Sequence, residues 1–213
     1  MDEPELRIGG WVQQKKRGKI RRLFSFLLIV AVSLLLGGPM LVNFNDIHVN
    51  DSLYLNSGVW NGPFQQERIK EFNGHLKVTK SSYESLDGES GKLIILSLSS
   101  LISLEYFDMH TINVNKVKEE MNKEGIELTT NGNILSEVNN NLPTNTNIYQ
   151  WDAKATNEAF FFDEDDELFI KVYSWNVDCG NETICKGKTI ICIAVAKDLN
   201  YINQATEIIE KVY

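Results

Sequence analysis

Residues 23–42 read LFSFLLIVAVSLLLGGPMLV, twenty consecutive positions without a charge. This run decides how the rest of the chain is organised. Wound as an α-helix at about 1.5 Å per residue, it extends about 30 Å, the thickness of a bilayer's hydrocarbon core. It is too long and too uniformly apolar for a buried core helix. Just before it stand Lys15, Lys16, Arg17, Lys19, Arg21 and Arg22, and basic residues flanking a first span stay on the cytoplasmic side. The expected arrangement is a basic cytoplasmic tail at 1–22, a transmembrane anchor at 23–42, and everything later outside the cytoplasm, in the cell membrane as a single-pass protein. A cleaved signal peptide is the competing reading. Cutting after Gly38 would put Leu36 where a small residue is wanted and Pro39 just beyond the cut, which disfavours cleavage. No Cys follows the run, so a lipoprotein anchor is excluded. Ser33 and Gly37 form a small-xxx-small pair, too common in spans to assign a dimer face by itself.

Working outward, the charge divides at the same place. Of the 213 residues, 1–22 carry seven Lys/Arg and three Asp/Glu, for +4, whereas 23–213 carry 14 and 26, for −12. An acidic domain repels nucleic acid, so no nucleic-acid partner is expected. Four Pro, 14 Gly and three Cys exclude a collagen-like chain and a disulfide scaffold. All 21 Asn lie beyond residue 42. Residues 43–74 are rich in Asn and Gly without sustained periodicity, and read as a stalk and loosely docked lead-in, with a short helix around 65–72. Residues 75–213 read as the extracytoplasmic α+β domain.

Within that domain, 75–80 alternates as a short strand, and KLIILSLSS at 92–100 is apolar on both sides for most of its length, as a strand covered on both faces would be. Val114, Val117 and Met121 share a helix face, with Gly125 placed to end that helix. Residues 126–130 suggest a strand closed by Asn131-Gly132, a strong hairpin signal, with 134–138 as its return. Further strands are expected at 148–154, 158–162, 167–177 and 188–196, the middle two joined by the acidic turn Asp163-Glu164-Asp165-Asp166. Asp198 then caps a helix whose Leu199, Ile202, Ile209 and Val212 share a face. Runs of adjacent strands favour antiparallel pairing, giving a mainly antiparallel sheet packed by two or more helices.

Three features of this layout carry a resemblance: the strand Gly91-Lys92-Leu93-Ile94-Ile95, the helix ending Lys123-Glu124-Gly125-Ile126, and the closing strand–helix pair. From about Phe72 to Tyr213 the order of elements resembles the PsbP/Mog1-like family, in which an antiparallel sheet lies between helices. The resemblance is one of topology, without a signature motif or functional residues to carry over. It implies an accessory or assembly role without catalysis.

Cys179 and Cys185 flank a short loop between two expected strands, and Cys192 lies within the second. In an oxidising exterior a disulfide between Cys179 and Cys185 is the favoured state; another pairing and three free thiols stand as alternatives. A metal is disfavoured, because C-x5-C-x6-C lacks a C-x2-C knuckle and no His is near. Asn50-Asp51-Ser52 and Asn181-Glu182-Thr183 match the glycosylation sequon, at about the frequency chance gives.

Chemistry is harder to find. His48, His75 and His110 lie in separate segments with no paired spacing. Gly88-Glu89-Ser90-Gly91-Lys92 lacks the leading Gly of a phosphate loop, has Leu93 where Ser or Thr belongs, and reads as a turn. The acidic run 163–167 has neither the alternation nor the Gly of a calcium loop. The aromatics Phe160, Phe161, Phe162, Phe169, Tyr173 and Trp175 read as core, or as an exposed contact face. No catalytic, cofactor-binding or metal residue is assigned, and no cofactor is expected. The function expected is that of a membrane-anchored binding or accessory domain with the lipid bilayer at 23–42 and a protein in or at the membrane as partners. The alternative is an extracytoplasmic enzyme whose site is assembled from scattered residues.

Overall fold

The computed structural model describes residues 6–50, 53–64, 66–101, 108–137, 139–177 and 187–212. The chain divides between Leu41 and Val42 into two compact units. The first is a single helix, α1 (Leu6–Leu41). Its portion Arg22–Leu41 has a mean hydropathy of 2.3 and is only 6% buried, with Leu23, Phe24, Phe26 and Leu35 more than 60% exposed. An apolar helix with that much uncovered side chain is long and apolar enough to cross a membrane.

The second unit is α+β. A short helix, α2 (Leu53–Asn56), is followed by β1 (Trp60–Asn61), β2 (Gln66–Glu71), a 3-10 turn at Phe72–Gly74, β3 (Leu76–Ser85) and β4 (Gly91–Ser100). Then come α3 (Met109–Lys123), β5 (Ile126–Leu128), β6 (Asn133–Leu135), β7 (Asn147–Ala155), β8 (Glu167–Asn176), β9 (Lys188–Ala196) and α4 (Leu199–Ile209). The strands form one sheet in the order β1-β3-β4-β9-β8-β7-β5, with β2 also on β3 and β6 also on β7, and every ladder is antiparallel.

Alternation along the strands loads both faces. One carries Val78, Ile94, Leu96, Ile170, Val172, Ile191 and Ile193 against Val117 and Met121 of α3. The other carries Leu93, Ile95, Tyr173, Ile190 and Cys192 against Ile202, Ala205, Ile208 and Ile209 of α4. The double covering explains why β4 and β9 read as nearly continuous apolar runs. Both helices begin where a carboxylate caps them: Asp108 accepts from the Thr111 amide at 3.3 Å, and Asp198 from the amides of Asn200 and Tyr201 at 2.8 and 3.1 Å. Gly125 ends α3 at φ +71°, and a Cβ there would meet the backbone of Glu158 and Ala159 at 2.4–2.6 Å.

An ion network also ties α3 and its C-cap Glu124 to β2, β3 and β4. Lys80 lies 2.8 Å from Glu120 and 3.4 Å from Glu124, Lys92 lies 2.6 Å from Glu124, and Lys116 lies 2.6 Å from Glu71. Lys80 and Glu120 are almost wholly out of water.

Four expectations change. Asn131-Gly132 does not close a hairpin: β5 and β6 lie end to end along the same edge of β7, and residues 129–132 step between them. The step is held by Thr129, whose amide and hydroxyl both donate to the Asp152 carbonyl, and by the Asp152 amide donating to the Thr130 hydroxyl. Gly132 is needed because its φ is +65° and a Cβ would strike the Trp151 ring at 2.2–2.4 Å. Residues 158–162 form turns, because this stretch only carries the chain from β7 to β8 while Phe162 drops into the core. The short helix expected around 65–72 is replaced by β2, an exposed edge strand recruited by pairing with β3. Finally, Leu199 is 59% exposed at the first turn of α4 while its partners Ile202 and Ile209 are buried.

Candidate functional site: a polar groove beside the last helix

Between β8, the loop after β6 and α4 lies a groove of about 480 Å³, within the size range of small-ligand sites. Its floor is Ile148 of β7 and Tyr173 of β8, both on the α4 face. The Tyr173 hydroxyl lies 2.8 Å from Thr206 Oγ1, and Thr206 donates to the Ile202 carbonyl at 2.8 Å. Thr206 has a single proton, so Tyr173 is the donor between them. Burial pushes the Tyr173 phenol above its ordinary value, so it stays a neutral donor.

Lys171 rises from the floor along one side. Its Nζ donates to Glu137 at 2.6 Å and stands 5.7 Å from the centre of the Tyr173 ring. Burial alone would lower its pKa, but the hydrogen bond to Glu137 and the nearby charges outweigh it and leave Lys171 above the ordinary lysine value. The cation is therefore held permanently and is neutralised locally.

The loop wall is fixed to α4. The Asn139 and Asn141 amides donate to the two oxygens of Glu210 at 2.8 and 2.9 Å, and the Asn141 backbone amide donates to Asn139 Oδ1 at 3.0 Å. Leu142 is buried beneath the loop. With Asn139 and Asn141 occupied, Asn140 and Asn203 line the groove as amides with no hydrogen bond among the described residues. Each offers a donor and an acceptor on one planar group, the complement of a peptide unit or another uncharged polar group.

The residues singled out from sequence fall elsewhere. Cys179, Cys185 and Asn181 lie outside the described residues. Asn50 is exposed, and its backbone amide donates to the Lys211 carbonyl at 3.0 Å. Cys192 is a fully buried thiol whose pKa burial pushes well up. His48, His75 and His110 stand in separate segments, only His110 within a helix, and among the described residues no group of three or more His, Cys, Asp or Glu is placed to hold a metal. The turn at 88–92 is organised by Asp87, which accepts from the Ser85 hydroxyl at 2.5 Å, the Ser90 hydroxyl at 2.6 Å and Tyr201 at 2.9 Å. The acidic turn is largely met by lysines, with Lys197 2.9 Å from Asp166 and Lys154 3.0 Å from Asp165. Phe162, Tyr173 and Trp175 are core, whereas Phe160 is 93% exposed.

No linear pattern marks the groove, because its polar residues come from three segments. Asn139–Asn141 read as a loop, Lys171 as an ordinary position of a strand, and Asn203 as the wet side of a helix. The run of three Asn is the one local signal. No family model matches the chain, and no curated protein matches it in sequence.

Proposed function

We propose that this chain is a single-pass membrane protein that displays its α+β domain outside the cytoplasm as a non-catalytic binding module, serving an assembly of proteins in or at the membrane. The observation that carries the reading is the uncovered apolar helix Arg22–Leu41 joined directly to a domain at Val42. The six basic residues preceding the apolar run orient it with the N-terminus inside. The groove supplies the binding chemistry: the Asn140 and Asn203 amides, without a hydrogen bond among the described residues, and an internally neutralised ion pair suit a polar, uncharged segment of a partner protein. The resemblance of the element order to the PsbP/Mog1-like family implies an accessory role as well.

Cross-linking in native membranes followed by capture of the full chain tests this. A reproducible, near-equimolar partner protein is expected, and its yield should fall at least tenfold with Asn203→Trp, which fills the groove from an exposed position. Absence of any such partner contradicts the binding role; a partner unaffected by the substitution moves the contact away from the groove.

A further inference from the structure

Lys70 and Lys77 stand directly opposite one another in the β2–β3 ladder, an arrangement that like charges disfavour. An anion held on this face would relieve it. Side chains alternate along a strand, so Arg68 and Lys70 share one face with Lys77, while Glu67, Ile69 and Glu71 take the other. On that other face Ile69 joins the α3 core and Glu71 is spent on Lys116. Strand β2 thus sorts its acids to one side and its bases to the other. Arg68 is matched by Asp46 at 2.9 Å, whereas Lys70 has no ion-pair partner among the described residues.

The basic face also receives the first residues of the domain. Lys77 Nζ donates to the Val42 carbonyl and stands 5.4 Å from the Phe44 ring centre, with Arg68 5.8 Å from the same ring. Val42 is bonded to Leu41, the last residue of the apolar helix. If that helix spans a bilayer, whatever touches Val42 lies within a side chain's reach of the surface where the span emerges. Lys77 satisfies that condition, and Lys70 is its cross-strand neighbour.

The hairpin tip adds an aromatic. Phe72, Asn73 and Gly74 have φ of 47°, 56° and 89°, and a bulky residue in the left-handed region is uncommon. The turn holds the Phe72 side chain 75% exposed. Exposed aromatics and long basic side chains at the end of a span are the groups that settle at a membrane interface, the ring at headgroup depth and the amines reaching phosphate.

We propose that the β2–β3 hairpin rests on the surface of the membrane that α1 enters, with Lys70 and Lys77 bound to lipid phosphates and Phe72 inserted at the boundary of headgroups and acyl chains. The inference rests on the reading of Arg22–Leu41 as a span. Lipid phosphate on this face relieves the repulsion between the two lysines, and docking holds the first strands of the domain at the bilayer.

The test uses the full chain in nanodiscs containing anionic lipid brominated either near the headgroup or near the chain end. Phe72→Trp is the first reporter, read as the difference from wild type, which has four Trp of its own; Lys70→Trp is a second reporter that leaves Phe72 in place. Phe26→Trp, inside the apolar run, reports on the span itself. Docking predicts at least a twofold drop in the signal of the Phe72→Trp reporter with headgroup-side bromine and a smaller drop with chain-end bromine. Adding Lys70→Glu to the Phe72→Trp chain should halve that drop. Quenching of the Phe26→Trp reporter with neither hairpin reporter affected overturns the docking. No quenching of the Phe26→Trp reporter overturns the span, and the docking with it.

Discussion

Replacing Lys80 by Met should be among the most damaging single changes outside the apolar core. Lys80 Nζ lies 2.8 Å from Glu120 and 3.4 Å from Glu124, and the side chains of Lys80 and Glu120 are only 9% and 3% exposed. Removing one member of a buried pair leaves the other charge uncompensated, at a cost of about 3–5 kcal/mol. Glu120 keeps Lys123 at 2.8 Å, but that lysine is 47% exposed and reaches in from water, so the lower end, about 3 kcal/mol, is expected. Taking both charges away with Lys80→Met and Glu120→Leu should return the protein to within about 1 kcal/mol of wild type, because two desolvated ions are exchanged for apolar packing. Urea unfolding of the full chain in detergent, followed by tryptophan fluorescence, measures both. A single-variant loss under about 1 kcal/mol is what a solvated surface pair would give, and would refute the claim that the pair is desolvated. A double variant as unstable as the single one would refute the charge argument. The same network sets an alkaline limit. Burial lowers the pKa of Lys80 and Lys116, but their carboxylate partners outweigh it and both end above 10.5. A raised folded-state value means the stabilisation is complete below 10.5 and is lost as pH climbs through the folded values.

Gly132→Ala should cost about 2–4 kcal/mol in the same assay, combining a left-handed non-Gly residue with overpacking against Trp151; a cost below about 0.5 kcal/mol, ordinary for a surface site, would mean that the Trp151 contact is not fixed. Asp87→Asn should lower the thermal midpoint by about 2–4 °C, for a loss of about 1 kcal/mol of charge-assisted hydrogen bonding in the β3–β4 turn. Partial burial would raise the Asp87 pKa, but Ser85, Ser90, the Glu89 amide and Tyr201 hold it well below the usual carboxylate range. Its contribution is therefore present above 3.8 and lost as pH falls below it. Asp87→Asn should flatten the acid limb of a stability profile; an unchanged limb would show that Asp87 does not titrate in this way.

The parts of the fold that local chemistry dictates are legible in the sequence. The cap at Asp198, the stop at Gly125, and the apolar runs of β4 and β9 each follow from a few neighbouring residues. Where tertiary contacts decide, local signals mislead. Asn131-Gly132 has the composition of a two-residue turn, yet the glycine answers to the ring of Trp151, a residue of the neighbouring strand. Residues 66–71 have no strand pattern of their own and become β2 through pairing with β3. The groove is hidden for the same reason: Glu137, Lys171, Tyr173, Asn203 and Thr206 are brought together by the β7–β8–β9 order and the return of α4, and no spacing rule links them.

The proposed anchor would hold the domain from Val42 onward outside the cytoplasm. Protease added to intact cells, with and without permeabilisation, tests it most directly. The chain beyond residue 42 is expected to be digested in intact cells, leaving only a short membrane-bound fragment carrying the N-terminus. A domain protected until the membrane is permeabilised, with the N-terminus cleaved from outside, would contradict it.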